Sequence, residues 1–170
     1  MNQIVIRPIR IEGNVAYIPL TQGYEAIIDA ADVALVGGFN WHANAQSHTV
    51  YAVRFEQRGG KRAMVRLHRA ILGAPVGMNG DHVDGDGLNN RRSNLRLATK
   101  TENNRNARRS VRNTSGFKGV SWDKPRRKWR ADIKVSGRSK HVGYFDTPKA
   151  AHAAYCEAAT RLHGEFARTA

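Results

Sequence analysis

Residues 80–104 read GDHVDGDGLNNRRSNLRLATKTENN. Asp, His, Gly and Asn crowd around the arginine pair Arg91-Arg92 here, and the turn residues leave room for only a brief strand, around Asp81–Val83. Leu95–Ala98 reads as a second short extended piece. Thr99 followed by Glu102 has the spacing of an N-cap with its capping-box partner, which predicts a helix from Lys100 to Arg108. The local order is therefore strand, loop, strand, helix. In a strand the side chains of Asp81 and His82 point to opposite sides. The Asp81 oxygen suits a hard cation such as magnesium or manganese. A neutral imidazole at His82 suits a general base acting on water. Asn103 lies in the predicted helix, where its amide oxygen is a candidate second ligand. Arg91, Arg92, Arg96, Arg105, Arg108 and Arg109 are candidates for phosphate neutralisation. A single Asp-His pair weighs little, and Asp-Gly pairs are common turns. From spacing alone, a metal-dependent phosphodiesterase and a structural loop on a basic binding protein remain equally open.

The charge outside this stretch is unevenly distributed. The 170-residue chain has a formal charge of +14. Residues 1–58 carry 4 Lys/Arg against 5 Asp/Glu, residues 59–112 carry 12 against 4, and residues 113–170 carry 12 against 5. The first third reads as packing material and the remainder as built for a polyanion. There is one cysteine, Cys156, so an intrachain disulfide and a Cys-rich zinc site are excluded, and a packing role is expected for it. No signal peptide, spanning segment or basic amphipathic helix is apparent, which predicts a soluble protein of a reducing, cytoplasmic compartment.

Upstream, residues 3–20 predict two strands around the turn at Glu12–Asn14. A strand and a short helix starting near Asp29 follow, stopping at Gly37-Gly38. Strands near 50–57 and 61–67 pair across Gly59-Gly60, and a short helix over LHRAIL ends at Gly73. Phe39, Trp41 and Tyr51 read as core aromatics. Downstream, FKGVSW, KWRADIKV and SKHVGYF predict three strands, and Pro148–Leu162 a helix with its cap at Asp146 or Thr147 and its stop at Gly164. One sheet face would pack that helix through Val120, Ala131, Ile133 and Val142. The other would present Lys118, Trp122, Arg126, Lys128, Arg130 and Lys140, as a DNA-reading or merely solvated basic surface. Trp129 is a core alternative.

The segment from Val65 to Asn106 resembles the HNH nucleases, in particular homing-type and phage-encoded members without zinc ribbons. The resemblance rests on Asp81-His82, Asp84-Gly85, Asn89-Asn90, Asn94-Leu95-Arg96, Thr99 and Glu102-Asn103 taken together. It implies a ββα-metal fold with one magnesium or manganese ion per site. It also implies Asp81 as metal ligand, His82 as base, Asn94 as the residue that holds the loop and orients the base, and Asn103 as second ligand, where many relatives have His. His68 corresponds to a recurring supporting His, and Asp84 and Asp86 read as turn residues. Residues 1–64 resemble the N-terminal part of such phage proteins through IPLTQGYEAIIDAADVALVGGFNWHA and YAVR. Residues 113–167 resemble the Apetala/ethylene-response-factor DNA-binding domain through GFKGVSW, KWRADI and VGYFDTPKAAHAAY. Lys118 and Ser121 stand there in place of arginines, so the plant target sequence does not transfer.

The expectation is thus an α+β chain. It has a β-rich region (1–64), a nuclease core (65–109), a linker (110–115) and a DNA-binding domain (116–168) of a three-stranded antiparallel sheet packed on one helix. It would act on double-stranded DNA as a monomer that nicks, with pairing on DNA needed for double-strand breaks. The rival reading is a DNA-binding regulator of a phage or mobile element, without useful catalysis. A structural RNA-binding protein ranks third, because the Asp–His–Asn grouping gives it no reason.

Overall fold

The computed structural model describes residues 5–106, 109–110 and 112–169. The chain divides into two compact units, one extending through Ala98 and the other starting at Thr99.

The first unit is mostly antiparallel sheet. Strands β1 (Arg10–Glu12), β2 (Val15–Pro19) and β3 (Glu25–Asp29) form one three-stranded sheet in that order. A single 3-10 turn (Ala30–Asp32) leads into the short helix α1 (Val33–Val36). Strands β4 (His42–Ala45), β5 (Val50–Arg58) and β6 (Lys61–Arg66) form a second sheet. Gly59 and Gly60, at φ 54° and 75°, make the β5–β6 turn in a region of backbone space that side chains avoid. Helix α2 (Leu67–Leu72) stops at left-handed Gly73. Strands β7 (Asn79–His82) and β8 (Leu95–Ala98) pair antiparallel, with Asp81 opposite Arg96 and His82 opposite Leu95. Ala16, Ile18, Ile28, Val36, Trp41, Leu67, Ile71 and Leu95 share one buried core, so all these elements pack together.

Two aromatic expectations need correction. Trp41 is core, its indole N–H donating to the Val36 carbonyl at 3.0 Å. Phe39 is 44% exposed, and the Arg54 guanidinium covers its ring. Tyr51 is half-buried beside two histidines.

The second unit starts with α3 (Lys100–Arg105). Its capping box is complete: the Thr99 hydroxyl accepts from the Glu102 N–H, and the Glu102 carboxylate accepts from the Thr99 N–H. The helix closes at Arg105 with Asn106 as its C-cap, short of the end expected at Arg108, which itself lies outside the described residues. Strands β9 (Val120–Asp123), β10 (Lys128–Val135) and β11 (Arg138–Phe145) form an antiparallel sheet with β10 central. Helix α4 (Pro148–His163) begins at Thr147, whose hydroxyl accepts from the Ala150 N–H, with Pro148 in the first turn. Val120, Ala131 and Ile133 meet Ala151, Tyr155, Ala158 and Ala159 of α4 in a second core. The division at Ala98/Thr99 falls ahead of the linker expected at 110–115. Helix α3 goes with the second unit, where the Lys118 ammonium donates to the Arg105 carbonyl at 2.9 Å.

Among the described residues, no helix is long and apolar enough to cross a membrane.

Candidate functional site

The loop between β7 and β8 is bound to the N-terminal strands. The Ile27 N–H donates to the Leu88 carbonyl at 2.8 Å, and the Asn90 N–H to the Ile27 carbonyl at 2.7 Å, so β3 and the loop run as a short parallel bridge. The Gly87 N–H donates to the Thr49 hydroxyl at 2.8 Å. Arg91 lies 3.0 Å from Asp29, and Arg92 grips Asp32 through Nε and Nη2. Burial alone would raise the Asp29 carboxyl. The Arg92 backbone N–H and the Arg91 guanidinium outweigh it and hold the group below the usual range.

Within the loop, Asn94 ties both ends together. Its amide oxygen accepts from the Asp84 N–H at 3.1 Å, and its amide nitrogen donates to Asp84 Oδ1 and the Asn89 carbonyl. Asp84 also accepts from the Asp86 N–H and the Asn89 amide. These bonds and those from Asn94 overcome burial and keep its carboxyl below the ordinary value. Asp86 accepts from the Leu88 N–H. Asp84 and Asp86 thus shape the turn.

This frame presents a buried pair of imidazoles. His82 is 5% exposed and His68 is 4% exposed, with ring centroids 4.8 Å apart and edge to face. Tyr51 lies 5.7 Å from His68 and 5.9 Å from His82. Gly80 and Gly87 leave room for these rings. A Cβ at Gly80 would stand 2.5 Å from His68 Cδ2, and one at Gly87 would stand 2.7 Å from Tyr51 Cδ1. Burial, helped by the charges of His82, Arg66 and Arg69, drops the His68 imidazole to about 3. Burial also lowers His82, against the hydrogen bond to Asn90 and the negative charges of Asp84, Asp81 and Asp86.

Asn90, one of the residues that carry the resemblance but given no role by it, sits at the centre of the site. It is fully buried, and its amide nitrogen donates to the Gly87 and Leu88 carbonyls. Its amide oxygen therefore faces His82 Nε2, at 3.2 Å. In a neutral imidazole this makes Nε2 the proton carrier and Nδ1 the acceptor. Asp81 is 5% exposed, and Arg96 Nε and Nη2 both reach its Oδ2, at 2.9 and 2.8 Å. Among the described residues, no three His, Cys, Asp or Glu side chains gather into a metal cage. A carboxylate and an amide oxygen nonetheless fit a hard ion that keeps much of its own water. Asp81 belongs to the first unit and Asn103, on α3, to the second.

In the second unit, strand register sorts the expected basic face. Arg130 stands opposite Tyr144 and Asp132 opposite His141, on the side away from α4, with Lys128 on the same side. Arg130 pairs with Asp132, and Arg126 lies 4.9 Å from the Tyr144 ring. Lys128 bonds to Asp146. Three residues depart from expectation. Trp122 stands opposite Trp129 on the α4 side, still 44% exposed. Lys140 stands opposite Ile133, also on the α4 side, because β11 is bulged beside Ala131/Asp132. Lys118 precedes β9 and lines a cleft of about 410 Å³ with Arg105, Lys134, Tyr155 and His163. Burial lowers its ammonium to about 8. His141 and Tyr144 join the outer face, which the sequence had not suggested. Arg109 is exposed and donates to the Asn113 carbonyl, and Arg108 lies outside the described residues.

A family model described as HNH endonuclease matches residues 68–105. A curated relative, Protein 3.8 of Escherichia phage T7, is 39% identical over 94 residues, which is 55% of this chain and 77% of that protein. The chain belongs to the HNH endonuclease family. The HNH match spans α2, the β7–β8 ribbon and α3, the segment that carries His68, Asp81, His82, Asn94 and Asn103. A second model, described as AP2 domain, matches residues 115–165 and covers the three-stranded sheet and α4. No solved structure matches the chain.

Proposed function

We propose that this HNH-family chain is a divalent-metal-dependent DNA endonuclease that hydrolyses phosphodiester bonds, with its AP2 domain lengthening the contacted site. The observation that carries this reading is the buried His82, held by Asn90 with Nδ1 as its acceptor and following the buried Asp81 in the chain. His82 takes a proton from the attacking water as general base. Asn94 keeps the loop, and hence the ring, in place. His68 and Tyr51 wall the ring and favour its neutral form. Asp81 and Asn103 are the proposed ligands of one magnesium or manganese ion, which when bound would supply positive charge against the scissile phosphate and the departing oxygen. The products expected are a 3′-hydroxyl and a 5′-phosphate. One site per chain fits nicking by a monomer, with double-strand breaks needing a second chain or a second event. Arg105, Arg108, Arg109, Arg126, Lys128 and Arg130 are the proposed phosphate and groove contacts. Arg91 and Arg92 are already tied to Asp29 and Asp32 and act first as struts. Family membership, the AP2 match and the phage relative support DNA as the substrate, and action in a bacterial or phage-infected cell.

One observation favours a second reading. Arg96 grips Asp81 through two nitrogens, as a purely structural carboxylate would be held. A DNA-binding regulator without catalysis fits that contact. Supercoiled plasmid incubated with purified protein in magnesium, and in parallel with chelator, separates the two. Nicking that needs the metal and fails in Asp81→Asn supports the enzyme. Equal traces with and without chelator support the regulator.

A further inference from the structure

The β5–β6 ribbon has two unlike faces. Pairing sets Phe55 against Met64, Gln57 against Arg62 and Val53 against Arg66, so these side chains share one side. Arg54, Glu56 and Arg58 share the other with Val65, Ala63 and Lys61. On that second side one carboxylate is shared by two of the three cations: Glu56 takes Arg54 at 2.6 Å on one oxygen and Arg58 on the other. The first side has no carboxylate. Its arginines lie over rings, Arg62 at 3.8 Å from the Phe55 centroid and Arg66 at 6.0 Å from that of Tyr51. Between them Phe55 and Met64 are 42% and 44% exposed. The row ends at Tyr51, whose ring packs against His82.

Cations without anions, alternating with exposed apolar groups on a two-stranded ribbon, complement a nucleic-acid duplex. Phosphates line the rims of its groove, sugars and base edges line the floor, and the major groove admits a ribbon of this width. A guanidinium lying on a ring keeps its N–H edges available for phosphate. Four residues of strand separate Arg62 from Arg66, roughly 13 Å, or about four base-pair steps. We propose that the Phe55–Met64 face of this ribbon is a DNA-contacting arm, running outward from His82 along the duplex and flanked by Arg62 and Arg66. It rests on the reading that the first unit acts on duplex DNA, and it adds a contact surface that neither the HNH match nor the AP2 match covers.

The test is binding of the full chain to a short duplex in chelator, followed by fluorescence anisotropy over a range of salt concentrations. Arg62→Ala/Arg66→Ala should reduce the slope of log affinity against log salt by about 2, near 0.9 per lost phosphate contact. Arg62→Lys/Arg66→Lys should restore most of it. Arg58→Ala/Lys61→Ala removes the same charge from the opposite face and should leave the slope as in the parent. An unchanged slope for Arg62→Ala/Arg66→Ala, or an equal fall for both double variants, would overturn the arm. Chelator keeps the outcome separate from catalysis. A chain that shows the slope change but never nicks in magnesium keeps the arm and loses the nuclease reading. A chain that nicks with no slope change keeps the nuclease and loses the arm.

Discussion

The amide oxygen of Asn90 lies 3.2 Å from Nε2 of His82, and both side chains are buried. Because the Asn90 amide nitrogen donates to two loop carbonyls, its oxygen can only accept, and the imidazole tautomer follows. Asn90→Ala therefore removes the group that orients the ring and takes one donor from each of the Gly87 and Leu88 carbonyls, the latter keeping the Ile27 N–H. We expect a loss of about 1–3 kcal/mol in stability and a fall in nicking larger than the fall in DNA affinity. Urea unfolding and a nicking time course check both.

Burial lowers the His68 imidazole to about 3, whereas in the unfolded chain it titrates near 6.5. The unfolded state then binds more protons between those values, so stability is full above about pH 6.5 and declines as the pH falls toward 3. At pH 5 the cost is about 2 kcal/mol, at 1.36 kcal/mol per pH unit. Amide exchange of β5 at pH 7.5 and pH 5 reads the first unit alone. His68→Phe should flatten the dependence, whatever it does to stability at neutral pH.

Gly119 sits at φ 74°, and a Cβ there would stand 2.2 Å from the Tyr155 ring, which is core. Neither the backbone conformation nor the space tolerates alanine. Gly119→Ala should lower the stability of the second unit by about 2 kcal/mol or more and weaken DNA binding, while the first unit keeps its exchange protection. Differential scanning calorimetry with amide exchange tests that separation.

Thr99 starts the helix that carries Asn103. Thr99→Ala removes one half of the capping box and should cost about 1 kcal/mol. If Asn103 is a ligand, the same change should raise the magnesium concentration needed for half-maximal nicking. Thr99→Ser should restore both.

How legible each feature was depended on how local its signal is. The Thr99–Glu102 box, the Gly59-Gly60 turn and the Pro148 start of α4 are each written within a few residues, and the sequence located all three. Asn89 and Asn90 are adjacent and chemically identical, yet one bonds Asp84 at the surface and the other is buried against His82. Only the fold separates them. Arg91 and Arg92 looked like phosphate contacts because their partners, Asp29 and Asp32, lie about sixty residues earlier in the chain. Trp122 shares the α4 side with Val120, two residues away on β9, by plain alternation, whereas a bulge in β11 sets the side of Lys140.

In the proposed reaction His82 is the base in metal-dependent cleavage of DNA. The most direct test is the single-turnover nicking rate of supercoiled plasmid at saturating protein and magnesium, for the parent and His82→Ala. A fall of about 10²–10⁴ in rate is expected, with plasmid affinity retained. A His82→Ala protein that nicks at the parent's rate would contradict it.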